Sequence, residues 1–455
     1  MRKTFPKQVL AAAIIACLAI SISAKSEKPA GSVPQWFKDA KFGIFVHWGI
    51  YAVDGTGASW GIFNKSIPYG KYMSQADRFD PKKYDPAKWA ELFKEAGAKY
   101  AVLTTKHHDG MALWDTQQLT NGEKLSVVTK TPIGRDLVGP FVKAMRDAGF
   151  NVGLYYSWLD WSNKDYAAKG RWRRGEAPPK NTTPENEDKW KRFLAFIDGQ
   201  LKELCDNYKP DLIWFDGDWD VSPKDWKMAD FKKKLKSWDP GVVLNSRMGG
   251  YGDYDTPEQG IPVVPPKKYW ELCMTMNRTW GYNKFDTKHK SAFQLIRILM
   301  ECVSMGGNLL LNVGPTPDGT IRPEQVAILK KIGVWTHKYA EAIYGTIPGP
   351  ARIHYGFPST LSKDRKTLYL CVFNSPVNQI LFKGLINKPK KITLMATGEE
   401  LKRERVGGAP WMHIPGVLFI TLPKGLEVGY GTVVKIEMDE PIKLYTGKPG
   451  AIEQN

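Results

Sequence analysis

Residues 212–217, Leu-Ile-Trp-Phe-Asp-Gly, set one carboxylate directly behind four apolar residues and release the chain at a glycine. An unbroken apolar run of this kind reads as a parallel strand buried on both faces, with Asp216 projecting from its C-terminal tip. In a β/α barrel that tip is where catalytic groups gather. Trp214 and Phe215 beside the carboxylate point to sugar chemistry, because aromatic faces pack on the apolar C–H faces of pyranose rings. Taken alone, the motif reads equally as a capping or ion-paired aspartate behind a core strand.

Other polar groups repeat the placement. The run 42–46 ends at His47-Trp48-Gly49, 100–105 ends at His107-His108-Asp109-Gly110, and 151–157 contains Tyr155-Tyr156. A barrel would gather these ends around one cavity, where neutral imidazoles can hydrogen-bond sugar hydroxyls. A metal site is the rival reading. Adjacent His107 and His108 on a strand would face opposite sides, and no CxxC or Cys/His spacing suggests zinc, so a metal-free and cofactor-free site is expected. Glycoside hydrolysis needs a second carboxyl group. Downstream lie Asp253, Asp255, Glu258 and Glu271. Glu258 follows Asn245-Ser246-Arg247 in a Gly-rich loop, read as flexible, from which it can approach the glycosidic oxygen opposite a nucleophile. Glu271 falls inside the apolar strand 268–273, where a buried structural role competes.

The elements that must carry these groups alternate. Helices are expected over 86–96, 137–146, 230–235, 292–305 and 323–344, and further strands over 241–245, 268–273 and 308–313. Thr183 caps another helix with Pro184 at its first position, and Trp190, Phe193, Ile197, Leu201 and Leu204 share one of its faces. The pattern predicts a distorted (β/α)8, TIM-like barrel with nearly eight strands, its elements running from about residue 33 to 346. Past Pro348-Gly349-Pro350, short apolar runs at 367–373, 391–395, 417–421 and 432–436 alternate with turn signals, which predicts an antiparallel β-sandwich. The expected divisions are a leader over 1–24, a catalytic barrel over 25–346 and the sandwich over 347–455.

Arg2, Lys3 and Lys7 precede an apolar run over 9–22 and small residues through Ala24, the pattern of a secretory signal peptide. Export to the periplasm or the exterior follows as an expectation, with no stable membrane insertion. A lipid tether through Cys17 is the less favoured variant. The remaining cysteines, Cys205, Cys273, Cys302 and Cys371, sit in apolar contexts expected of buried thiols. The formal net charge is +18, of which the leader contributes only three positive residues. Such a surplus favours polyanions, and export turns the choice from nucleic acid towards sulfated or uronic polysaccharides. The run Arg171, Trp172, Arg173, Arg174 lies in a strand-to-helix loop on the expected active-site face, where it is a candidate contact for a sulfated glycan.

Together Phe42-Gly43-Ile44-Phe45-Val46-His47-Trp48-Gly49, Lys106-His107-His108-Asp109-Gly110, Trp214-Phe215-Asp216-Gly217, Trp270-Glu271 with Asn277 and Trp280-Gly281-Tyr282, and residues 307–315 resemble glycoside hydrolase family 29, the alpha-L-fucosidases. The resemblance implies retaining cleavage of terminal α-L-fucose from an oligo- or polysaccharide without a metal. It implies Asp216 as nucleophile, Glu258 as acid/base with Glu271 in reserve, and His47, Trp60, His107, His108, Tyr156 or its neighbour, Trp214, Arg247 and Glu271 as sugar-binding residues. The loop after the first strand departs from the pattern, with Ser59-Trp60 where many members carry Glu-Trp. By this route the two carboxyls stand about 5–5.5 Å apart, and the acid is expected to be buried beside the negative charge of the nucleophile. Aromatic contacts to the methyl group of fucose would discriminate against a hydroxymethyl group by only about 1–3 kcal/mol. The alternatives are a non-catalytic carbohydrate-binding protein on the same fold, or a glycosidase for a related sugar such as α-L-galactose.

Overall fold

The computed structural model describes residues 33–447 apart from 173, 178, 180, 181 and 375–377. The leader, Cys17 and Arg173 lie outside the described residues. The described residues form one compact unit.

Seven parallel strands build the first sheet: β1 (Phe42–Val46), β2 (Tyr100–Lys106), β3 (Asn151–Ser157), β4 (Leu212–Asp216), β5 (Val243–Leu244), β6 (Glu271–Thr275) and β7 (Asn308–Val313). Their order is β5-β4-β3-β2-β1-β7-β6. The gap between β5 and β6 is filled by residues 253–259, a run whose Gly-rich approach reads as a loop in the sequence. Asp253 N donates to Leu244 O (2.6 Å), Asp255 N to Tyr269 O (2.8 Å), Cys273 N to Pro257 O (3.1 Å) and Gln259 N to Cys273 O (2.9 Å). This run stands as an irregular eighth strand. Pro257 has no N–H to give, so the ladder breaks into isolated bridges.

Long helices connect the strands: α1 (Pro86–Glu95), α2 (Val138–Asp147), α3 (Pro184–Tyr208), α4 (Met228–Trp238), α5 (Ala292–Ser304) and α6 (Pro323–Lys338). Their starts are written locally. Thr183 Oγ1 accepts from Asn186 N ahead of Pro184, and Ser291 forms a reciprocal capping box with Gln294. Each sheet strand is apolar throughout because it is buried twice. Phe45, Val102, Tyr155, Trp214, Cys273 and Leu310 point into the barrel, whereas Ile44, Leu103, Leu154, Phe215, Leu272 and Leu311 meet the helices.

From Ile347 the chain forms a six-stranded and a three-stranded antiparallel sheet. In the strand Thr367–Val372, Leu368, Leu370 and Val372 fill the sandwich core, while Tyr369 and Cys371 join the core of the barrel helices. Trp335 of α6 fastens the contact by donating to Gly431 O at 2.8 Å. Cys205, Cys273, Cys302 and Cys371 are free, buried thiols. Among the described residues no helix is long and apolar enough to cross a membrane.

Candidate active site

Strand β4 delivers Asp216 to the barrel interior because Leu212, Trp214 and Asp216 share one parity. Gly217 then turns at φ 85°, a conformation that a side chain would strain. Asn245 locks the strand end, accepting from Phe215 N at 2.8 Å and donating to Phe215 O at 2.9 Å. Asp216 Oδ1 accepts from Arg247 Nη1 (2.6 Å) and Gly217 N (3.0 Å), and Oδ2 accepts from the Tyr155 hydroxyl (2.9 Å). The carboxylate is thus held in one orientation from both sides. Phe215 does not wall it. The opposite parity sends that ring outward to stack on Trp158 at 4.4 Å, and only Trp214 lies beneath the site.

Three imidazoles surround the carboxylate, all displaced towards the neutral form. Burial pushes His47 down to about 3, and burial likewise lowers His107 and His108 well below the ordinary range. Neighbouring hydrogen bonds fix two of the tautomers. Ser157 gives its single proton to Leu159 O (2.9 Å), so it accepts from His108 Nδ1–H (2.6 Å). His108 Nε2 is therefore a bare acceptor, 3.6 Å from Asp216 Oδ2, and the two do not form an ion pair. Asn312 donates to Trp280 O (2.7 Å), which turns its Oδ1 to accept from His47 Nδ1–H (2.6 Å) and leaves His47 Nε2 as an acceptor. His107 shares a 2.5 Å bond with Ser59, the residue at the departure noted above, and stacks on Tyr155.

His107 and His108 do not face opposite sides, as strand alternation had suggested. Strand β2 stops at Lys106 after a register shift, and the two rings sit 4.1 Å apart. The same shift sends Lys106 outward, where it pairs with buried Asp160 and lies 4.4 Å from the Tyr156 ring. Tyr156 therefore belongs to the helix layer, its hydroxyl donating to Gln200 of α3 at 2.8 Å. Its neighbour Tyr155 takes the inward place. Removing that hydroxyl in Tyr155→Phe is expected to lower kcat roughly 10–100-fold with KM little changed, the cost of one hydrogen bond to a charged group. An unchanged kcat would show that Tyr155 does not position Asp216.

Arg247 joins the two carboxylates of interest. Its Nη1 holds Asp216 and its Nη2 holds Glu258 Oε2 at 2.5 Å, while its guanidinium lies 4.7 Å from the Trp214 ring. Glu258 is not on a free loop: Cys273 N and O bond the residues on either side of it in the irregular strand. Nor is it buried as expected of the acid, since its side chain is 37% exposed and ion-paired with Arg247.

Glu271 occupies the first position of β6, the end of the barrel opposite the site, and is fully buried. It accepts from Tyr100 (2.5 Å), Trp214 (2.9 Å) and Tyr254 (3.2 Å), so it faces neither Asp216 nor an open cavity. The reserve role as acid and the sugar-binding role therefore do not fit its place. Burial pushes its carboxyl up from 4.5 to about 7. A folded pKa above the unfolded one means that stability falls as pH rises from 4.5 to 7 and then levels, by on the order of 3 kcal/mol. Glu271→Gln is expected to remove that slope in urea-unfolding midpoints measured across this range; parallel slopes in both proteins would contradict it.

Half-buried Trp60 opens a short helix at the rim, 5.3 Å from the His108 ring and nearly parallel to Trp219, which is exposed. Of the other downstream carboxylates, Asp253 is buried against Lys232 and Lys236. Among the described residues no group of three or more His, Cys, Asp or Glu is arranged to hold a metal ion. Of the pair Tyr155-Tyr156 the neighbour Tyr155 is the site residue, and Ser157 and Asn312 are site residues that the sequence reading does not name. Parity across the parallel β3–β4 register, Tyr155 beside Trp214 and Ser157 beside Asp216, is the signal that selects Tyr155 over Tyr156 and that points to Ser157.

The alpha-L-fucosidase family profile matches residues 20–341. Tissue alpha-L-fucosidase of Mus musculus is 35% identical over 70% of this chain and 72% of its own length. The structure of alpha-L-fucosidase isoenzyme 1 from Paenibacillus thiaminolyticus superposes with a TM-score of 0.79 at 33% identity, covering 89% of this chain and 98% of the other. A Bacteroides thetaiotaomicron family 29 alpha-L-fucosidase, solved as a trapped covalent intermediate with 2-fluoro-fucosyl fluoride, gives 0.79 at 31% identity, covering 90% and 97%. With two carboxylates joined by one arginine at the barrel mouth, these likenesses place the chain in the alpha-L-fucosidase family, glycoside hydrolase family 29.

Proposed function

We propose that the chain is an exo-acting, retaining alpha-L-fucosidase that cleaves terminal α-L-fucosides of oligo- or polysaccharides by double displacement. One observation carries the reading: a single guanidinium bonds both Asp216 and Glu258, which brings together at the barrel mouth the two carboxyl groups that glycoside hydrolysis needs. Asp216 attacks the anomeric carbon, forming a carbon–oxygen ester bond as the glycosidic bond breaks. Protonated Glu258, released from Arg247, gives its proton to the departing oxygen. It then takes a proton from water, which hydrolyses the ester and restores the starting configuration. His47 and His108, with Nε2 as acceptors, take hydrogen bonds from sugar hydroxyls.

Incubation with 2-fluoro-fucosyl fluoride tests this. The anomeric fluoride leaves, the 2-fluoro-fucosyl mass is expected on the peptide containing Asp216, and a label on another residue would overturn the assignment. The basic run 171–174 offers less to sulfated glycans than its composition suggests, because Arg171 is already paired with Asp220 through Nε at 2.7 Å. Greater salt sensitivity on sulfated than on neutral fucosides would support a sulfated substrate, and equal sensitivity would remove it. The leader pattern of basic residues before the apolar run 9–22 supports export of the enzyme.

A further inference from the structure

The three-stranded sheet of the sandwich ends in the strand Arg403–Val406, whose four residues are all exposed. Beside it, the turns around 386–389 and 407–415 enclose a groove of about 650 Å³ that no part of the barrel chemistry uses. Ile386, Pro389 and Ile414 supply apolar lining, while Lys388, Arg403 and His413 supply basic groups, with Glu404 as the acid among them. The groove is built rather than accidental. Arg405 buckles its turns together, donating to Leu385 O (2.5 Å), Pro415 O (2.7 Å) and Asn387 O (3.0 Å).

A paired bridge between Ala409 and Ile414, at 3.0 and 3.1 Å, closes the adjacent turn. That turn holds Trp411 out into solvent, 81% exposed. Trp411 does not line the groove itself, but Pro410 and His413 of the same turn do, so its indole stands at the groove's border with a face open to a flat ligand. The surrounding charge selects the ligand. Residues 383–415 carry seven Lys or Arg against three Glu, and Arg403 reaches a carbonyl, Lys390 O at 3.4 Å, rather than a carboxylate.

We propose that this groove is a second, non-catalytic binding site for an anionic polysaccharide. Pyranose C–H faces rest on Trp411 and the apolar lining, and sulfate or uronate groups meet Lys388 and Arg403. The site is independent of the fucosidase reading, and its ligand need contain no fucose.

The test uses the full chain with dextran sulfate and neutral dextran as probes, followed by titration calorimetry. Dextran sulfate should bind, and dextran at least tenfold more weakly. The double variant Trp411→Ala/Arg403→Ala should lose at least tenfold in affinity for dextran sulfate. Both side chains are exposed, and an unchanged melting temperature checks the fold. A control, Lys233→Ala/Lys331→Ala on α4 and α6, removes two exposed charges elsewhere and should stay within twofold. Hydrolysis of an aryl α-L-fucoside should stay within twofold in both variants. The proposal is overturned if the parent fails to bind dextran sulfate or binds dextran equally. It is also overturned if the groove variant loses less than tenfold, or if the control loses as much, which would mark a diffuse basic surface. Failure here with intact aryl-fucoside hydrolysis leaves the enzyme assignment standing, and the reverse result separates the two as cleanly.

Discussion

Asp216→Ala is expected to cut kcat/KM on an aryl α-L-fucoside by about 10⁴-fold or more. On the proposed mechanism the carboxylate supplies the electrons for the first bond, and the groups that hold it cannot replace it: Tyr155, Arg247 and Gly217 donate hydrogen bonds to Asp216, and the Nε2 atoms of His47 and His108 are neutral acceptors. The loss should persist with activated leaving groups, because both chemical steps pass through the same atom. Added azide can enter the space left by the carboxylate and attack from the nucleophile's side, so any fucosyl azide formed should have inverted configuration. Activity within tenfold of the parent would remove Asp216 as nucleophile.

Glu258→Ala should behave differently on every one of these axes. Fucosides with poor leaving groups should lose about 10²–10⁴-fold, since the departing oxygen then leaves without a proton. With a dinitrophenyl leaving group the first step should survive and the ester should accumulate. Azide should then restore turnover and give a fucosyl azide of retained configuration. Full activity of Glu258→Ala on poor leaving groups would move the acid elsewhere. Glu271 is a weak successor because the side chain lies at the far end of the barrel under Trp214. The exposure of Glu258 and its pairing with Arg247 add a condition: the ion pair must open before the proton can be delivered.

Much of this site was legible in residues that end strands. His47, His107, His108 and Asp216 each follow an apolar run, and a parallel sheet has one end at which such residues collect. What escaped was side-chain direction. Alternation was applied to His107 and His108, where the register shift in β2 had already ended it, and was not applied to Tyr155-Tyr156 or Trp214-Phe215, where it holds. The same neglect of strand polarity kept Glu271 as a candidate acid, although a residue opening a strand lies opposite the mouth. Ser59 was read as a missing carboxylate; its bond to His107 is a long-range contact that no local pattern encodes. Residues 253–259 read as a loop because Pro257 and the glycines before it carry turn signals, and only the two neighbouring strands make the run an edge-to-edge filler.

The interrupted eighth position gives the barrel a seam, and the two reactive carboxylates sit on opposite sides of its mechanical consequences. Asp216 rides on a strand laddered along its length to β3 and pinned at its end by the Asn245 side chain, while Glu258 rides on backbone tied at scattered points. Where bonding is sparsest, local opening costs least. On the proposed roles, the attacking oxygen would be mounted on a fixed anvil and the proton donor on a compliant jaw, an arrangement that would let aglycones of different bulk be accommodated without disturbing the atom that makes the covalent bond.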